Sequence, residues 1–300
     1  MILMREFLVF FSAICFISQV SSIADIAKFF PQISGNLTKV TWANSINTKT
    51  IDKILKDDNI LMIKAEIELD KKNGLLINDL SLDEFLNKLK QSNTPEKVKV
   101  GQGKGANLDF KSIDALTEAT KDKGLIANAA KENYPLWLGA NILKGPGNLT
   151  EDPLDSTKFL TNAQSFPDIV LSLGWVTTNI SGGYGYENDD IKAMKKAIGD
   201  NHIKNTLNFH VRASLAANSN PQFKSLLQET DTLTIFSGSD DTVDVKKLKA
   251  TILDIGVDKV FLDVPNDLEE KLRLDLSKSG ATDIVISLFN LALCILVVQI

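Results

Sequence analysis

The chemistry available to this chain is confined to a few polar side chains set inside apolar runs. Lys64, Glu66 and Glu68 alternate in one run, Asp109 and Lys111 end a second, and His210 and Arg212 end a third. Asn44, Asn141 and Trp175 each follow a run of their own. Residues two apart on a strand share a face, so each group points one way. Three cations and two acids then admit two readings. Lys64, Lys111 and Arg212 could hold a small anionic ligand, because a guanidinium and two ammonium groups favour phosphate or carboxylate. They could instead neutralise Glu66 and Asp109 in a buried network that needs no ligand, and this simpler reading is preferred. Histidine is scarce, with only His202 and His210. His210 is the candidate base, against the common alternative of a satisfied core residue. His202 precedes its run and falls at the far end from the others. The two supply no acid/base pair.

These side chains need elements to carry them. Short, β-branched apolar runs occur at 40–43, 61–67, 107–110, 136–140, 169–174, 207–213, 233–237 and 260–264. Each is followed by a stretch of helical period, at 47–56, 81–90, 112–128, 155–163, 189–198, 221–229, 243–255 and 266–276. Ser81 with Glu84 has the spacing of a helix-start capping box. The runs do not alternate cleanly, as expected of strands buried on both faces beneath crossover helices. Eight such units about thirty residues apart predict a single (β/α)8 TIM barrel, with a doubly wound open sheet as the other possibility. In a barrel the polar residues near strand ends gather at the C-terminal mouth.

The chain has 300 residues, 33 Lys plus Arg against 38 Asp plus Glu, and a net charge of −5, with no basic run. That balance argues against a nucleic-acid partner, since phosphate binding needs a basic footprint. Residues 1–22 read as a secretory signal peptide, with Arg5 before an apolar run and Val20-Ser21-Ser22 at its end. Residues 281–300 are a hydrophobic tail, either a lipid-anchor signal or a membrane anchor. Cys15 and Cys294 lie in these two segments, so a disulfide scaffold is excluded for the domain at 23–280. Three glycosylation sequons begin at Asn36, Asn148 and Asn179 and fit a secreted or cell-surface glycoprotein.

At the ends of the strand candidates the sequence reads Trp42-Ala43-Asn44-Ser45-Ile46-Asn47, Ala65-Glu66-Ile67, Asn78-Asp79-Leu80-Ser81, Leu108-Asp109-Phe110-Lys111, Ala140-Asn141-Ile142-Leu143, Leu171-Ser172-Leu173-Gly174-Trp175 and Val211-Arg212-Ala213. In this order, over about residues 38–265, these motifs resemble the menorin family. The resemblance implies a barrel related to the glycerophosphodiester phosphodiesterase and phospholipase C-like group, in a secreted or membrane-attached protein. One branch of the family looks like an extracellular adhesion cofactor. Relatives that hydrolyse phosphodiesters hold a divalent metal with carboxylates and use histidines as general acid and base.

Several positions depart from that pattern. Asn44 stands where the family usually has histidine, and an amide cannot shuttle a proton. Lys64 stands where a metal would want a carboxylate oxygen. Asn141 replaces an acidic residue, and a usual His-Pro-Pro stretch is missing, with 73–77 expected as a shortened loop. The degenerate site of Asn44, Lys64 and Asn141 points to a pseudoenzyme that binds an extracellular or cell-surface protein, with no cofactor expected. Glu66, Asp109, Lys111, Trp175 and Arg212 are the ligand-binding candidates. The alternative is a Ca- or Mg-dependent phosphodiester hydrolase, with Glu66, Glu68 and Asp109 as ligands and His210 as base. The expected location is extracellular, with possible attachment to the outer face of the plasma membrane through the tail.

Overall fold

A computed structural model describes residues 22–274, apart from 122–123, 148, 150, 179–182 and 239–240. The signal-peptide segment, the tail and the sequon asparagines Asn148 and Asn179 therefore lie outside the described residues, save Ser22, which opens the helix Ser22–Phe29.

Ten strands form one sheet: β1 Trp42–Ala43, β2 Met62–Asp70, β3 Gly74–Ile77, β4 Leu80–Ser81, β5 Gly105–Phe110, β6 Leu136–Lys144, β7 Val170–Val176, β8 Leu207–Arg212, β9 Thr232–Phe236 and β10 Val260–Asp263. All but β3 and β4 pair in parallel, in the order β1-β2-β5-β6-β7-β8-β9-β10. Helices join these parallel strands, as parallel pairing demands. Every residue of β7 is buried, in keeping with a strand covered on both faces. All eight expected strands are present, and the helical stretch at 112–128 is two helices, Ile113–Ala119 and Leu125–Ala129.

The segment at 73–77 is not the expected loop. β2 continues beyond the parallel sheet and turns at Lys71 to Asn73 into an antiparallel pairing, Glu68 opposite Leu76 and Asp70 opposite Gly74. Gly74 has φ 79°, a left-handed conformation in which a Cβ would be strained. Asn73-Gly74, after Asp70-Lys71-Lys72 and before the apolar Leu75-Leu76-Ile77, is a turn signal in the sequence.

Alternate residues point to the concave side of the sheet, where Trp42, Trp137 and Phe261 meet. Ring centroids lie 5.8 Å apart for Trp42 and Trp137 and 5.1 Å for Trp137 and Phe261, both edge-on. β6 and β10 are four strand steps apart, about 19 Å on a flat sheet. Contact between their side chains therefore requires a strongly curled sheet. Above these rings lies a buried polar layer, in which Ser172 and Thr234 donate to the Asn208 amide oxygen at 3.1 and 2.9 Å and Asn208 donates to Thr232. Among the described residues no ladder bond joins β1 to β10, so the hydrogen-bonded sheet is open there.

The helix Leu82–Ser92 is capped by Ser81, whose hydroxyl accepts from the Glu84 amide at 3.1 Å, one half of the expected capping box. Ser81→Ala is expected to cost about 1 kcal/mol, read as a lower urea midpoint at an unchanged slope.

Candidate functional site

The concave face places one set of polar side chains above the buried layer. Register pairs Lys64 with Asn107 and Glu66 with Asp109. It pairs Asn141 with Gly174, and Gly174 with His210. Small residues make room: a Cβ on Gly174 would collide with the Asn141 amide oxygen. The β6 ladder shifts register between Asn141 and Leu143, a bulge at the strand end that bears Asn141. Lys64, Asp109, Asn141 and His210 line one crevice with Asn107 and Ser172, too tight to admit a water-sized sphere.

Lys111 is the hub of the acidic side. Its ammonium nitrogen lies 2.9 Å from Glu66 Oε1 and 2.8 Å from Asp109 Oδ2. Burial draws the Lys111 pKa down, but the charges and hydrogen bonds of Asp109 and Glu66 outweigh it and hold the pKa above the usual lysine value. Glu68, further along β2, is exposed.

Arg212 answers a different acid from those expected. Its Nε donates to Asp241 Oδ1 at 2.6 Å, where the Asp241 side chain is 0% and the Arg212 side chain 13% exposed. Arg212 Nη1 also donates to the Thr177 carbonyl, and its backbone N–H donates to the Tyr186 hydroxyl. The Asp241 carboxylate further accepts from the Gly238 amide and the Ser237 hydroxyl. This pair ties together the segments that follow β7, β8 and β9. Asp241 follows the strand by several residues, outside any strand period, so spacing could not have flagged it.

Lys64 reaches across the sheet to His210, with Nζ 3.4 Å from Nε2. Among the described residues no carboxylate comes within ion-pair distance of Lys64. The imidazole lies flat on Phe236, centroids 4.2 Å apart and planes 7° apart. Burial, then the charges of Lys64 and Lys111, hold the His210 pKa well below its usual value. At neutral pH the ring is therefore uncharged and can accept from Lys64, and it is a weak base. Asn44 donates to Asp263 Oδ1 at 2.8 Å, joining the ends of β1 and β10. Asp263 lies two residues after Phe261 on β10, so the i, i+2 rule could have found it.

Two expectations about placement fail. Trp175 does not join the cluster: as the neighbour of inward-facing Gly174 it points to the other face, fully buried against Tyr186 at 5.1 Å and near Phe209. The single charge network becomes two, Lys111 with Glu66 and Asp109, and Arg212 with Asp241. His202 is exposed at φ 53°, away from the site. Asn36 is half-buried, and its side-chain oxygen accepts from the Thr38 amide and hydroxyl at 3.1 and 2.7 Å.

Where Glu66 and Asp109 could offer oxygen ligands, an ammonium already bridges them, and Lys64 adds a second positive charge nearby. Among the described residues no three His, Cys, Asp or Glu side chains converge in a way that could hold a metal ion. Beside the crevice, the space over β1 and β2 opens into a cleft of about 630 Å³, lined by Asn44, Ser45, Asn47, Lys49, Lys64, Glu66, Asn78 and Asp79 among others. Among the described residues no helix is long and apolar enough to cross a membrane.

Comparison with known proteins accounts for this framework. Residues 36–269 match the model of the menorin N-terminal domain. The human protein FAM151B is 28% identical over 229 residues, covering 70% of this chain and 76% of that protein. A match over most of the chain, spanning all eight parallel strands, places this protein in the menorin family.

Proposed function

We propose that this protein is a secreted or cell-surface menorin whose curled sheet is a (β/α)8 barrel and whose mouth binds rather than hydrolyses. Closure is supported by the side-chain links between the two end strands, Asn44 to Asp263 and Trp42 to Phe261 at 6.2 Å. The binding reading rests on one observation above all, the Lys111 ammonium seated between Glu66 and Asp109. A metal there would have to displace a bonded cation and sit beside Lys64. A hydrolase also needs groups that take and give a proton near neutral pH. Asn44 is an amide, and His210 is held too acidic to be a good acceptor.

On this reading the protein acts as an extracellular binding or adhesion cofactor for a surface protein. Glycans on Asn36, Asn148 and Asn179, the signal at 1–22 and the anchoring tail at 281–300 belong to the same proposal. The test is the purified 23–280 domain with Mg²⁺ or Ca²⁺ and a generic phosphodiester. Calorimetry is expected to give no saturable heat and the assay no turnover above buffer. Saturable metal binding together with turnover lost in Asp109→Asn would establish the hydrolase instead.

A further inference from the structure

We infer that the cleft above β1 and β2 is a metal-independent oxyanion site, with Lys64 as its principal ligand. The inference deepens the binding reading and rests on it, because a metal in the mouth would take the anion itself. Its basis is where the donors of each cation go. Lys111 is bonded to Glu66 and Asp109, and Arg212 to Asp241, so two of the three cations expected to hold an anion are answered by acids of the protein. Lys64 is not. Its described partners are the uncharged His210 ring at 3.4 Å and the face of Phe236 at 5.8 Å. An ammonium has three donors, so two remain after the bond to His210.

The walls of the cleft set two acids, Glu66 and Asp79, against Lys49 and Lys64, and both acids are engaged by the protein, Glu66 by Lys111. Asp79 spends both oxygens on Thr48, accepting from its amide at 2.9 Å and its hydroxyl at 2.6 Å. These bonds, with a smaller contribution from the charge of Lys49, hold the Asp79 carboxyl below its usual pKa, so it stays ionised and occupied. Lys49, exposed on the same cleft, makes no ion pair among the described residues. Asn47 spends its oxygen on the Lys49 and Thr50 amides, which leaves its NH₂ to donate. Two ammonium groups and an amide NH₂ face a space of about 630 Å³, larger than a bare phosphate needs. The ligand is therefore a small, hydroxyl-bearing molecule or glycan terminus with one phosphate, sulfate or carboxylate head. His210 is a positioning residue, holding the Lys64 chain upright.

The experiment is thermal denaturation of the 23–280 domain in EDTA, with inorganic phosphate, sulfate or glucuronate compared against chloride at equal ionic strength. At least one oxyanion is expected to raise the melting temperature saturably, and the one that does identifies the head group. Lys64→Met should weaken that effect about tenfold or more, as loss of a charge-assisted bond implies, while Lys64→Arg retains it. Lys49→Met should weaken it less. No oxyanion effect on the unmodified domain overturns the inference, and so does an undiminished effect in Lys64→Met. Since EDTA removes divalent metals and no turnover is read, failure here is told apart from failure of the binding reading, which shows as metal-dependent turnover.

Discussion

Between pH 6.5 and pH 5 the folded protein is expected to lose stability at up to about 1.4 kcal/mol per pH unit because of His210 alone. The sign follows from linkage. His210 has a folded pKa well below that of an unfolded histidine, since burial and the facing cations Lys64 and Lys111 oppose a third positive charge. Below the unfolded value the unfolded chain takes up a proton that the folded chain refuses, so acidification favours unfolding until the folded pKa is reached. Asp109 lines the same crevice, but its carboxylate is already bonded to Lys111. Asp190 and Asp231, both pushed up by burial, act in the opposite sense, at lower pH where carboxyls titrate.

Urea denaturation at intervals from pH 7.5 to 5 measures the slope. His210→Gln should flatten it, because an amide oxygen can still accept from Lys64 but does not titrate. An unchanged slope in that variant would mean that other groups carry the acid sensitivity. A protein meeting acidified compartments would feel this dependence directly.

The second large effect is expected at Asp241. Asp241→Ala should cost up to about 3–5 kcal/mol, because it removes a fully buried carboxylate from a nearly buried ion pair. Arg212→Met should be comparably costly, stranding a fully buried carboxylate on Ser237 and Gly238. The double variant Arg212→Met/Asp241→Leu should recover most of the loss, since well-packed apolar side chains often replace a buried pair without penalty. The readout is a double-mutant cycle in urea at pH 7. Single variants losing less than about 1 kcal/mol would put the pair among weak surface bridges. Lys111 differs: its side chain is 37% exposed and Glu66 62%, so solvent screens that bridge and a smaller loss is expected there.

The strands were legible because burial leaves a local mark. A parallel strand covered on both faces must be apolar along its length, as β7 is, and the period changes when the chain enters a helix such as Asn188–Asp200. The same logic placed Lys64, Glu66, Asp109, Asn141, His210 and Arg212 on one face, since the pleat repeats every two residues. Pleat parity also predicts that Trp175 must point away from a face that Gly174 occupies. The family motif drew attention to the tryptophan, and the parity of its neighbours decided its direction.

Sequence by itself therefore determined the family, the alternation of strands and helices, and the set of side chains that share the concave face. These depend on residue type and spacing along the chain. Which cation meets which acid was decided only by tertiary structure. Lys64 finds His210 and Arg212 finds Asp241 through the curl of the sheet and the path of a loop, distances that no local period encodes. That pairing ties Lys111 and Arg212 to acids and leaves Lys64, bonded to the uncharged His210 ring, on the cleft that the anion proposal addresses.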